Sequence, residues 1–300
     1  MSEPDRRGDH GTGSDRRVPG RLYVAFTLIV IVITGLLAVL ADVGLAIRTE
    51  YQMSRAIVAS PRVSFDPEVT LSGFPFLTHV RAGRFNGAVI AARDVTLPGC
   101  EGRGGCRGEL GATLGPWHID DAWDITADDV VRTESVSAHT KLDAVTMARY
   151  LGIVDLTVST PAPDGKVGGG GPQDGAPSRQ SGVVLTGTVA LPPSAGDDPD
   201  NPPSASTFDG PKVRVSVSVD LSVQDGRLAI RATDYYTGPE RHVDADVPEA
   251  MRAAVLDRFT TILPLIPLPW GLTPQWAASL GGDILLHAQA GPADLRLDAF

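Results

Sequence analysis

The chain has 300 residues, 42% of them hydrophobic, and its 36 acidic against 26 basic side chains leave a net charge of -10. That balance argues against nucleic acid as a partner and against simple electrostatic adhesion to anionic lipid heads. Its two cysteines, Cys100 and Cys106 in the run PGCEGRGGC, lack the CxxC spacing of a redox or zinc site, so no metal and no cofactor is expected.

Residues 1–21 form a polar, Gly-rich tail with Arg6, Arg7, Arg16, Arg17 and Arg21, read as a disordered cytoplasmic segment. Residues 22–41, LYVAFTLIVIVITGLLAVLA, carry no charge. At about 1.5 Å per residue they cover roughly 30 Å, the thickness of a bilayer's hydrocarbon. Acids follow in Asp42 and Glu50, so the positive-inside rule places the N-terminus in the cytoplasm and the bulk outside it. A cleaved signal usually has an apolar core of only about 7 to 15 residues, so an uncleaved, single-pass anchor in the inner (plasma) membrane is the expectation. No Cys follows the run to accept a lipoprotein linkage.

Residues 42–60 keep helical spacing, with Ile47, Tyr51 and Val58 on one side. Beyond Pro61 the period changes to two. Strands are predicted over 87–97, 107–114, 125–137, 153–159, 183–191, 284–289 and 294–299. The clearest is 212–223, where Val213, Val215, Val217, Val219, Leu221 and Val223 alternate with polar residues and the turn Gln224-Asp225-Gly226 returns the chain into Leu228 and Ile230 as a hairpin. Helices are predicted at 143–151 and at about 248–263, the second capped by Asp246 and carrying Met251, Val255 and Phe259 on one stripe. The sum is an α+β domain, residues 42–300, with a long, mainly antiparallel sheet and few helices. Low-complexity stretches at 161–181 and 192–211 are read as mobile loops within it.

The chain has no GxSxG, HExxH, GxxxxGK[ST] or strand-to-helix GxGxxG, and no catalytic residue is assigned. His118, Asp120, Asp121, Asp124, Asp128 and Asp129 form a dense polar run, but without the Gly and terminal Glu of an EF-hand loop it reads as a solvated acidic edge. Two apolar, turn-like segments stand out instead. Residues 69–78, VTLSGFPFLT, place Phe74, Phe76 and Leu77 around a proline; residues 262–272, ILPLIPLPWGL, leave Leu265, Ile266, Leu268 and Trp270 in extended chain. Such side chains could plug a core, rim an apolar groove or dip into a bilayer. His79, Arg81 and Arg84 follow the first segment and could meet a phosphate. In an oxidising compartment Cys100 and Cys106 could close a disulfide.

The run Gly73-Phe74-Pro75-Phe76-Leu77-Thr78, followed by Gly83, Val89 and Asp94-Val95, together with the anchor and the closing Leu268-Pro269-Trp270-Gly271-Leu272, resembles the LmeA-like family of actinobacterial envelope proteins. The resemblance covers roughly residues 42–297, with His79 standing where such families carry Gln. It implies a membrane-anchored periplasmic protein that binds phospholipid, phosphatidylinositol-type lipids among them, and supports lipomannan and lipoarabinomannan maturation; it supplies no catalytic residues. An acyl chain brings ten or more methylenes at about 0.8 kcal/mol each, so a carrier needs a continuous apolar trough. The Val213 to Leu221 face, half covered by Met251 and Phe259, could line one in a fold similar to the tubular lipid-binding (TULIP-like) modules. The alternative expectation is an envelope scaffold that docks a glycosyltransferase or transporter and carries no lipid.

Overall fold

The computed structural model describes residues 20–162, 178–239 and 241–300, in which four α-helices accompany three open, antiparallel sheets. The tail 1–19 and most of the predicted loop 161–181 lie outside the described residues. The chain divides into two units, Met1–Leu45 and Ala46–Phe300. Helix α1, Gly20–Ile57, is long and apolar enough to cross a membrane once. Its large apolar side chains from Tyr23 to Leu40 are exposed, whereas Thr49, Met53, Ala56 and Ile57, at helical spacing, are buried.

Seven strands make the largest sheet, in the order Glu68–Ser72, Gly87–Leu97, Cys106–Leu114, Val136–Leu142, Asp283–Ala290, Trp276–Leu280 and Ser178–Arg179. The second sheet orders Thr261–Ile262, Arg227–Tyr235, Lys212–Gln224, Val183–Ala190 and Thr157–Ser159. A third joins Ala293–Arg296, Val130–Thr133, Trp117–His118 and Arg84–Phe85. The α+β class and the antiparallel pairing are those the alternation predicts.

Several local expectations are corrected. Residues 125–137 are not one strand: Val130–Thr133 pairs in the third sheet and Val136–Leu142 in the first, with the crossing at Glu134 and Ser135 held by bonds to the Pro116 carbonyl and from the Gly115 amide. The second predicted helix shortens to α4, Glu249–Asp257, with Pro248 rather than Asp246 at its N-cap, because Thr261 and Ile262 pair with Ile230 and Ala229 at a sheet edge. Helix α3, Ala144–Leu151, is capped by the Asp143 carboxylate, which accepts from the Thr146 amide. Segment 69–78 is more than a turn, since it contains the end of strand Glu68–Ser72 and the start of helix α2, Phe76–Ala82.

The inner faces of the first two sheets share one core with α3 and α4. Val215, Val217, Val219 and Leu221 pack there with Leu185, Leu228, Ile230, Leu286 and Phe259, while Val213 and Met251 lie partly buried against it. The opposite face of the long strand is not uniformly wet: Ser216 is buried, its hydroxyl bonded to Thr186 and to the Val243 amide. Cys100 and Cys106 are joined in a disulfide across the loop between strands Gly87–Leu97 and Cys106–Leu114.

Two rows of the seven-stranded sheet matter below. On the inner face Ala112, Ala138 and Ala288 are register neighbours, a low strip beside the taller Leu110 and Leu286. On the outer face Gly111, His139, His287 and Trp276 form a row in which the Trp276 ring stacks on His287 at 3.9 Å and the two imidazoles lie 5.5 Å apart. Desolvation holds His139 below its ordinary pKa; desolvation, with the adjacent His139, lowers His287 to about 4.

Two predictions follow from this packing. Val217→Asp, which puts a carboxylate into the shared core, is expected to cost about 3 kcal/mol or more in urea unfolding, and a loss below about 1 kcal/mol would show that water reaches this face. For His287 the native state resists a proton that the unfolded chain accepts, so its contribution is fully present above pH 6.5 and is lost as pH falls toward about 4. The thermal midpoint is therefore predicted to drop across that window and His287→Gln to flatten the drop; an equally steep drop in the variant would refute the assignment.

Candidate functional site

Strand Glu68–Ser72 leads into Gly73, whose φ is +143°. A Cβ at Gly73 would stand 2.6 Å from His79 Nε2, so the ring lies directly over a residue that must be glycine. The Phe74–Pro75 peptide is cis, and the Pro75 carbonyl accepts a bond from the Thr78 hydroxyl in the first turn of α2. Spacing of four then sorts the short helix. Phe76 and Val80 turn inward and are buried, while Leu77 and Arg81 are exposed; Phe74, just before the helix, is 73% exposed. Gly83 ends the helix in the left-handed conformation, close under the Ile119 carbonyl.

This turn aims His79 back at strand Arg84–Phe85. His79 Nδ1 lies 2.9 Å from the Arg84 carbonyl; a carbonyl only accepts, so in the neutral ring Nδ1 holds the hydrogen and Nε2 is the acceptor. The His79 ring stacks on Phe85 at 6.2 Å and Phe85 on Trp117 at 4.2 Å, with Phe76 5.7 Å from Phe85. Beside this stack runs a register row across the third sheet: Arg84, His118, Arg132 and Asp294. Stack and row together border an open pocket of about 1,210 Å³, completed by Thr78, Asn86 and Glu134.

The pocket's two guanidiniums differ. That of Arg84 makes no hydrogen bond or ion pair among the described residues, and it is exposed. Arg132 donates to both oxygens of Asp120, at 2.7 and 3.3 Å, and this bond holds the Asp120 carboxyl below the usual range. Three more members of the acidic run are engaged locally: Asp121 accepts from the Trp123 amide, and Asp128 and Asp129 accept from Thr126. Among the described residues no group of three or more His, Cys, Asp or Glu side chains is placed to hold a metal ion.

Two other pockets compare poorly as anion sites. One of about 790 Å³ between α3 and α4 contains Arg103, Arg149 and Arg258, yet Arg103 and Arg149 donate to backbone carbonyls and Arg258 pairs with Asp197 at 3.2 Å. The second, of about 500 Å³, is mainly apolar, between Leu97, Pro98, Leu265, Ile266, Leu268 and Leu272, with Arg62 and Glu101 on its border.

The predicted site residues thus fall into three places. His79 and Arg84 meet in the motif pocket, with Phe76 in the hydrophobic wall behind it and Phe74, Leu77 and Arg81 exposed nearby in sequence. Leu265, Ile266 and Leu268 border the apolar pocket, while Trp270 donates from Nε1 to the Arg296 carbonyl and meets Phe300 edge-on. Val213, Val215, Val217, Val219, Leu221, Met251 and Phe259 belong to the packed core. Sequence reasoning missed His118, Arg132, Trp117 and Phe85 as partners of the motif. Their strands are only two to four residues long, too short for alternation to reveal which side chain faces which way.

No curated protein and no solved structure matches the chain. The LmeA-like phospholipid-binding family matches residues 40–289, a span that contains helix α2 with its motif and all but the last strand of the third sheet. Extending over most of its length, that match shows that the chain belongs to the LmeA-like phospholipid-binding family.

Proposed function

We propose that this protein is held in the inner membrane by residues 22–41 and that residues 42–300 work on the periplasmic side, binding the headgroup of a phosphatidylinositol-type lipid in the motif pocket. The arginines ahead of the apolar run support that orientation by the positive-inside rule, and the Cys100–Cys106 disulfide suits an oxidising compartment. The observation that carries the site is the meeting of His79 and Arg84 with His118 and Arg132 around one pocket. The Arg84 guanidinium, unengaged among the described residues, suits a phosphate, and Arg132 stands two strands along the same row with its guanidinium on Asp120. The remaining lining mixes donors and acceptors, in Thr78, Asn86, His118, Glu134 and Asp294, as the hydroxyls of an inositol ring require. A pocket built only for charge would not include Glu134 and Asp294. The resemblance noted above supports a role for this binding in lipomannan and lipoarabinomannan maturation.

The test is calorimetric titration of the detergent-solubilised chain with glycerophosphoinositol, the headgroup without its tails. Arg84→Glu keeps the backbone carbonyl that His79 uses, so it leaves the motif intact. It is expected to weaken binding about tenfold or more, the loss of one charge-assisted contact of roughly 1.5–3 kcal/mol, and Arg132→Gln, whose guanidinium is shared with Asp120, to weaken it less. Unaltered affinity in both variants would remove the headgroup from this pocket.

A further inference from the structure

Residues 264–274 cross the inner face of the seven-stranded sheet with the side chains of Ile266 and Leu268 buried beneath them but with few hydrogen bonds to the strands. Four of these eleven residues, Pro264, Pro267, Pro269 and Pro274, have no N–H. The segment is fastened at its flanks, where the Leu263 amide donates to the Leu228 carbonyl and the Gln275 amide to the His287 carbonyl. In between, the Thr140 hydroxyl donates to the Pro267 carbonyl, and the Gly271 and Leu272 amides bond within the segment itself. Among the described residues no backbone ladder ties it to the sheet beneath.

What it covers is the low strip. Leu268 packs onto Ala138 and Ala288, with Leu272 at the edge of that contact, so one leucine fills the hollow left by adjacent alanines. The same Leu268 is part of the wall of the 500 Å³ pocket, which therefore reaches the strip through this single side chain. That volume lies within the roughly 300–1,000 Å³ of sites that hold small ligands. Leu265 of this strap is 60% exposed beside the same pocket, and Arg62 borders it.

We propose that this pocket is the acyl-chain site, and that an incoming chain lifts Leu268 off Ala138 and Ala288 and takes its place in the strip. This rests on the phospholipid-binding reading of the chain and adds where the tail goes. The occupant is an acyl chain because the family binds phospholipid, because the lining is mainly apolar, and because a flexible unbranched chain suits a strip of small alanine side chains. Leu268 then competes with the ligand for the alanines instead of contacting it. Trp270, two residues on, bonds the carbonyl of Arg296 in the strand that contributes Asp294 to the motif pocket, so the strap touches the sheet of the headgroup site as well.

Competition predicts a gain where a mere wall residue predicts a loss. The experiment titrates the full detergent-solubilised chain and its Leu268→Ala variant with dioleoyl phosphatidylinositol and, separately, with glycerophosphoinositol. The variant is expected to bind the acylated lipid roughly tenfold more tightly, as removal of a competing state requires, with no change for the deacylated headgroup. In the unaltered protein the amides of Leu265, Ile266, Leu268 and Leu272 are expected to exchange hydrogen faster once the acylated lipid is added. Equal or weaker binding of the acylated lipid by a folded Leu268→Ala chain would overturn the proposal. Should the variant fail to fold, strap amides that stay equally protected in the unaltered protein on lipid addition would overturn it too. If the deacylated headgroup does not bind while the Leu268→Ala gain is seen, the headgroup assignment falls and the tail site stands.

Discussion

An apolar sheet face can be buried only once, and in this protein the long valine face of strand Lys212–Gln224 is committed to the core that the two larger sheets share. Val217 and Val219 are fully buried among Leu185, Leu228, Leu286 and Phe259. The lipid contacts proposed above follow from that constraint: the tail site is put where a proline-rich segment covers a sheet with few hydrogen bonds, and the headgroup site where short strands leave charged residues facing outward.

The motif pocket shows how little sequence such a site needs. Gly73 lets the His79 ring settle over the backbone, Phe76 and Val80 pin α2, and the two-residue strand Arg84–Phe85 then sorts its side chains by alternation: Phe85 into the aromatic stack with Trp117, Arg84 into the row with His118 and Arg132. Any larger residue at Gly73 would bring its Cβ within 2.6 Å of His79 Nε2. The proposed tail site rests on an opposite device, since the prolines of residues 264–274 lack the N–H groups that would weld the segment to the sheet.

Much of the fold was legible in the sequence where one physical signal dominated. Strand Gly87–Leu97 has its predicted bounds, and Val183–Ala190 and Lys212–Gln224 differ from theirs by one residue, because runs rich in β-branched residues and ended by turn residues mark a strand even where both of its faces are partly buried. The reading failed where tertiary pairing overrides local pattern. Residues 125–137 read as one strand candidate by their β-branched content, yet Glu134 and Ser135 carry the chain from one sheet to another. The stripe of α4 continues to Phe259, but Thr261 and Ile262 are claimed by the edge of a sheet. For the site, His79 and Arg84 were visible beside the motif; Arg132 and His118 were not, since only the sheet register brings residues so distant in sequence onto one row.

The most direct test of the account is photocrosslinking with phosphatidylinositol carrying a diazirine on its headgroup, followed by peptide mapping of the adducts. The motif-pocket account predicts adducts within residues 78–86 and 116–134. Adducts confined to the pocket between α3 and α4, around Arg103, Arg149 and Arg258, would contradict it.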